Sequence, residues 1–144
     1  MLIENRKSLR GEITVPADKS ISHRSVVIGA LAKGTTNIDN FLLSEDCIST
    51  IECFRKMQVR IEILRDNKIR VHGNGLYGLK APSAPLNTGR SGTSLRLLLG
   101  ILCGQPFTTE VIRSEYEMKK PVGTIVNLLR QMGAEIKGRD NGNL

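Results

Sequence analysis

FRKMQVRIEILRDN, residues 54–67, and LLRQMGAEIKGRDN, residues 128–141, follow one pattern. Each leaves a helix end through a methionine, Met57 or Met132, crosses a short strand and arrives at Arg-Asp-Asn. Recurrence at a period of about seventy residues marks an internal duplication, and the surrounding pattern makes the repeated unit helix, strand, helix, strand, strand. The fold class that follows is α/β.

Outward from these segments, the expected elements fall into place by periodicity and punctuation. Leu9 to Val15 alternates and stops at Pro16, a strand; Ile21 to Lys33 carries apolar positions at helical spacing and exits at Gly34. Thr35 to Asp39 reads as a strand, and Ser44 caps a helix from Glu45 to Met57 with Ile48, Ile51 and Phe54 on one face. Val59 to Leu64 and Lys68 to Val71 form a hairpin turning at Asp66 and Asn67. A stretch rich in Gly, Pro and Ser, from Gly73 to Gly89, opens into a helix from Thr93 to Cys103. Strand Thr108 to Ile112, a helix from Pro121 to Met132 with proline in its first turn, and strand Ala134 to Lys137 follow. The first copy has a return strand after its Asp-Asn turn, whereas the second reaches Leu144 without one. An unpaired strand leaves backbone groups unsatisfied, so the expectation is a truncated repeat whose open edge and apolar surface invite self-association.

The 144 residues, 40% hydrophobic and 24% charged, suit one soluble globular unit. Gly100 interrupts the apolar run Leu97 to Cys103 far short of the ~18 residues of a membrane span. The charged N-terminus lacks the layout of a secretory signal, which makes the expected location cytoplasmic. Cys47, Cys53 and Cys103 are odd in number and without C-x-x-C spacing, so they read as reduced, mostly buried thiols rather than disulfides or a zinc site. Twenty-one Lys and Arg against fourteen Asp and Glu give a net charge of +7 and call for an anionic partner. Nucleic acid ranks last among such partners: the basic residues are scattered, and few aromatics are present to stack on bases.

Three segments have the makings of an anion site. In PADKSISHR, residues 16–24, a strand hands over to a helix whose N-terminal amides, Ser20 and Ser22 hydroxyls, Lys19 and Arg24 suit a phosphate or carboxylate. The alternative is an N-cap serine with two solvated basic residues, and His23 reads as a structural or surface histidine. In LNTGRSGTSLR, residues 86–96, a glycine-rich turn again opens a helix: Gly92 allows close backbone approach, and Thr93 and Arg96 can bond an oxyanion or fix the loop. A flexible loop with a helix cap is the alternative. This turn lacks the G-K-[ST] of a Walker loop and the G-x-G-x-x-G of a dinucleotide site. In EYEMKKP, residues 115–121, Lys119 and Lys120 stand before a helix, where a cation can neutralise a bound phosphate or simply face solvent.

DKSISHR, GLKAP at 78–82, the G-x-S-G-T-x-x-R loop and the Lys-basic-Pro segment stand in the order found in the EPSP synthase family, the 3-phosphoshikimate 1-carboxyvinyltransferases, and the chain resembles that family over nearly its full length. The resemblance implies an enolpyruvyl transferase-like inside-out α/β barrel of two domains built from βαβαββ units. Residues 1–15 are then an initial strand belonging to an otherwise missing first domain. Residues 16–144 are a partial second domain, with one complete unit over about 16–85 and an incomplete one over about 86–144. The implied reaction adds the 5-hydroxyl of shikimate 3-phosphate to phosphoenolpyruvate and eliminates phosphate, a step of aromatic amino acid biosynthesis that uses no cofactor and no metal.

By the same resemblance Lys19 touches both substrates, Ser20 and Arg24 hold shikimate 3-phosphate, Gly92 lies against phosphoenolpyruvate, and Thr93 and Arg96 shape that loop. Lys120 takes the place of an arginine gripping phosphoenolpyruvate. Ala17 for glycine, Arg90 for asparagine and Lys120 for arginine depart from the family pattern and bear on substrate affinity. The acid/base residues are expected mainly beyond Leu144, so the resemblance implies an isolated chain that is inactive or nearly so, with a separate chain as a further candidate partner. A non-catalytic anion-binding module of the same fold is one alternative. The related UDP-N-acetylglucosamine enolpyruvyl transferase is another, disfavoured by DKSISHR and by the lack of a cysteine in the expected catalytic loop.

Overall fold

The computed structural model describes Ser8, residues 10–119 and residues 121–138. The first half contains α1 (Lys19–Leu31), β1 (Lys33–Ile38), α2 (Glu45–Lys56), β2 (Arg60–Ile63) and β3 (Ile69–Asn74). The second contains β4 (Leu86–Asn87), α3 (Gly92–Leu102), β5 (Val111–Ile112), α4 (Glu115–Met118) and α5 (Gly123–Gln131).

The sheet of the first half has the order β1-β3-β2, all antiparallel, with Thr35 opposite His72 and Ile61 opposite Val71. Its hairpin turns at Asp66 and Asn67, both with positive φ, 57° and 54°, as the Asp-Asn signal predicts. Ile61, Ile69 and Val71 alternate inward, while Glu62, Arg70 and His72 form a polar outer face. On the inner face α1 comes so close to β3 that a side chain at Gly73 would collide with the carbonyls of Gly29 and Ala32. Ile51 and Phe54 of α2 are fully buried in the same core, with Ile48 packed beside them, as the apolar face of that helix foretells. Burying a side chain such as Phe54 is worth about 2–3 kcal/mol. A second, smaller cluster joins Leu95 and Leu99 of α3 to Val122 and Val126.

The duplication is visible in the two helix exits. Val59 N donates to Phe54 O at 3.1 Å, and Ala134 N, seventy-five residues on, donates to Leu129 O at 3.0 Å. Arg55 Nε and Nη2 donate to Ile61 O at 3.1 and 2.6 Å; Arg130 Nε and Nη2 donate to Ile136 O at 3.0 and 2.6 Å. Gln58 and Gly133 hold the same left-handed position after their helices, with φ of 64° and 96°.

Several boundaries differ from expectation. α1 begins at Lys19 rather than Ile21 because Asp18, not a serine, is its N-cap: Ile21 N donates to Asp18 Oδ1 at 2.7 Å. It ends at Leu31 because Lys33 and Gly34 pair with Asn74 and Gly73, so Gly34 belongs to a strand and not to a helix exit. Residues 10–17 carry no strand, and Leu9 lies outside the described residues. Ile13 and Val15 are 84% and 61% exposed, and no described strand pairs with this segment. Residues 134–138 likewise form no ladder: their counterparts Arg60–Ile63 pair with β3, whereas no described strand lies beside 134–138. The strand expected over Thr108 to Ile112 is confined to Val111–Ile112, which pairs in parallel with the unanticipated β4. Pro121 precedes the cap Val122 instead of lying in the first turn of α5.

Candidate functional site

The N-terminal ends of α1, α2 and α3 meet at one place in the fold. Each has a local sequence cause: Asp18, Ser44 and Ser91 are N-caps, whose side chains accept from Ile21 N at 2.7 Å, Cys47 N at 3.4 Å and Ser94 N at 3.1 Å. Neither α1 nor α3 has an acidic residue in its first turn. The carboxylate of Asp18 meets the start of α1 and that of Glu117 lies beside Gly92 at the start of α3, while the remaining first-turn amides of both helices add their positive dipole ends to the same face.

Lys19, Ser20 and Arg24 are exposed on the first turns of α1. Lys19 Nζ bonds Asp46 Oδ2 of α2 at 2.9 Å, with side chains 51% and 28% exposed. The hydrogen bond to Asp46, and then its charge, hold the Lys19 ammonium above its ordinary pKa. Ser22, read with Ser20 as a ligand hydroxyl, faces inward instead: it donates to Asp18 O at 2.7 Å and accepts from Leu42 N at 3.0 Å. Ala17 is absent from the residues with positive φ, so the alanine in place of glycine costs no left-handed strain.

On α3, Gly92 is the first helical residue, Thr93 is exposed beside it, and Arg96 Nη1 donates to Gly92 O at 3.0 Å. A methyl group at Gly92 would stand 2.7 Å from Arg96 Nη1 and 2.9 Å from Glu117 Oε2. Glu117, 2% exposed, thus brings its carboxylate against the start of α3, and Arg113, 6% exposed, donates through Nη1 to Glu117 O at 2.9 Å. Burial lowers the pKa of Arg113 and the neighbouring Glu117 opposes that shift. Arg90, the charged substitute in this loop, lies with its guanidinium 4.9 Å over the Tyr116 ring and so turns toward α4. Lys119 is exposed at the end of α4, and Lys120 lies outside the described residues.

Beneath the surface runs a buried polar chain. His23 Nδ1 bonds Thr50 Oγ1 at 2.8 Å, Thr50 Oγ1 bonds Ser94 Oγ at 2.7 Å, and Ser94 Oγ bonds Ser91 Oγ at 2.7 Å. Ser94 Oγ also donates to Asp46 O at 3.2 Å, so the residue paired with Lys19 touches the same chain through its backbone. His23, Thr50 and Ser94 are 0%, 1% and 0% exposed, and burial lowers the His23 pKa, keeping the ring neutral. Of the two readings of His23, structural or surface, its burial excludes the surface one. Asp46, Thr50 and Ser94 had no sequence signal, since partners such as Lys19 and His23 lie on elements far apart in the chain; Arg113 and Glu117 are only four residues apart, but what brings them to the site is the contact of Glu117 with Gly92. Cys47 and Cys53 are buried, and burial pushes the Cys53 thiol up to about 11, which leaves it a poor nucleophile. No helix among the described residues is long and apolar enough to cross a membrane.

The family described as EPSP synthase (3-phosphoshikimate 1-carboxyvinyltransferase) matches residues 3–144. The 3-phosphoshikimate 1-carboxyvinyltransferase of Pelotomaculum thermopropionicum is 52% identical over 138 residues, covering 96% of this chain and 32% of that relative. The protein of the same name from Geobacillus kaustophilus is 54% identical over 140 residues, covering 96% and 32%. The chain spans about a third of the length of these curated relatives. Among solved structures, an EPSP synthase from Acinetobacter baumannii superposes with a TM-score of 0.87 at 43% identity, covering 93% of this chain and 31% of that one.

Proposed function

The chain belongs to the EPSP synthase family, and from that premise we propose that it supplies a substrate-binding part of an enzyme that transfers the enolpyruvyl group of phosphoenolpyruvate to the 5-hydroxyl of shikimate 3-phosphate. The observation that carries this reading is the convergence of α1 and α3 at their N-termini, with Lys19 held beside both by Asp46. Two multiply charged anions need such a cationic, amide-rich face.

In this reading Lys19, Ser20 and Arg24 hold shikimate 3-phosphate. Lys19 also reaches phosphoenolpyruvate, which lies against Gly92 with Lys120 as a further cation, and Thr93 and Arg96 maintain the loop. Protonation of phosphoenolpyruvate at C3 lets the 5-hydroxyl add to C2. Loss of a proton from the former C3 and departure of phosphate from C2 then complete the transfer. The contribution of these residues is positioning and charge neutralisation, which matter most where water is excluded. Residues 16–144 form part of a barrel domain of βαβαββ units, residues 1–15 belong to another domain, and the enzyme works in the cytoplasm.

Calorimetric titration of the purified chain with shikimate 3-phosphate, alone and with phosphoenolpyruvate, tests the assignment. Saturable binding that Lys19→Ala abolishes is expected. A folded chain that binds equally well with and without Lys19 contradicts it.

A further inference from the structure

The two half-sites are joined beneath the surface as well as through the partly exposed Lys19–Asp46 pair. A fully buried polar path runs between α1 and α3 below the Lys19–Asp46 pair: His23 on α1, Thr50 on α2, then Ser94 and the N-cap Ser91 on α3, with Ser94 Oγ also 3.1 Å from Ser49 Oγ and 3.2 Å from Asp46 O of α2. Short bonds of 2.8, 2.7 and 2.7 Å in a solvent-free setting make this chain stiff. His23 Nε2 is buried with no hydrogen-bond partner among the described residues, so the ring's one hydrogen bond is the one to Thr50. Leaving a buried imidazole nitrogen unsatisfied is costly, and a greasy side chain of similar size would pack at that position without the cost. A histidine at that position is explained if its bond to Thr50 has a use.

The use follows from which substrate bridges which helix. Resting on the reading above, this chain holds shikimate 3-phosphate through residues of α1 alone, whereas phosphoenolpyruvate spans its Lys19 on α1 and Gly92 on α3. A bridging ligand is sensitive to the separation of its two supports; a ligand on one support is not. We propose that the His23–Thr50–Ser94 chain sets the spacing between the N-termini of α1 and α3, making Thr50 a positioning residue for phosphoenolpyruvate although it touches no substrate. Thr50 is the link to test because it carries the bonds to both neighbours and because valine matches its shape.

The experiment is calorimetric titration of wild type, Thr50→Val and Thr50→Ser with shikimate 3-phosphate, and then with phosphoenolpyruvate at saturating shikimate 3-phosphate. Circular dichroism confirms folding, and Ser94→Ala serves as a second break in the chain. The expected result is phosphoenolpyruvate affinity reduced roughly five- to tenfold in Thr50→Val, the size of one lost buried hydrogen bond. Thr50→Ser restores it, and every variant still binds shikimate 3-phosphate. Equal loss of both ligands, or no recovery with serine, overturns the proposal because general damage to the fold then accounts for the effect. Unchanged phosphoenolpyruvate affinity in both Thr50→Val and Ser94→Ala also overturns it, while wild-type binding leaves the functional reading standing. Absence of binding by wild type brings down both.

Discussion

At the scale of single residues, His23 carries the clearest consequence. Its ring is neutral because burial opposes the charged form, so its folded pKa lies below the ordinary 6.5. The unfolded chain then binds a proton that the folded chain refuses, and stability present above pH 6.5 is lost as pH falls from there to the folded pKa. The slope is bounded by about 1.4 kcal/mol per pH unit, the limit for a single proton. Denaturant unfolding at a series of pH values should show this decline, and His23→Asn should flatten it; an unchanged profile in the variant contradicts a buried neutral ring. Glu62, held below its ordinary 4.5 chiefly by its hydrogen bond to His72, contributes in a separate and lower window. The DKSISHR motif made Lys19 and Arg24 legible as exposed cations. The inward turn of Ser22 was not, because the amide it satisfies belongs to Leu42, twenty residues away.

At the scale of elements, α2 and its hairpin were readable almost to the residue. Ser44 supplies a cap, Ile51 and Phe54 a stripe, and Asp66-Asn67 a turn whose positive φ those residue types tolerate. Where local cues competed with long-range pairing, reading failed. Gly34 resembled a helix exit but is held in β1 by Gly73, and residues 10–15 alternate like a strand with no described neighbour to pair them. The duplicated helix exits also expose a local inconsistency: Gln58 occupies at φ 64° the position that Gly133 occupies at 96°. A side chain in the left-handed region costs about 1 kcal/mol, and Gln58 is exposed with its bonds made by backbone. Gln58→Gly should therefore stabilise the chain by roughly 0.5–1 kcal/mol, measured by urea unfolding. Destabilisation by glycine shows that the glutamine side chain has a role of its own.

At the scale of the whole molecule, the net charge of +7 resolves into unlike parts. Arg70 is bonded to Asn37 on the outer sheet face, Arg55 and Arg130 clasp backbone carbonyls, and Arg96 secures Gly92. Lys19, Ser20 and Arg24 are exposed at the start of α1, where Asp18 caps the helix and Asp46 pairs with Lys19. Composition alone could announce an anionic partner but not separate fold-fastening arginines from exposed cations, since that distinction depends on where side chains end up. The central claim is that the joined N-termini of α1 and α3, and not the dispersed basic surface, receive the substrates. Amide chemical-shift mapping on titration with shikimate 3-phosphate, followed by phosphoenolpyruvate, tests it most directly. Shifts should appear first at Lys19, Ser20 and Arg24, and on the second addition at Ser91, Gly92 and Thr93. Shifts centred instead on the outer sheet face around Arg60, Arg70 and His72 would contradict the account.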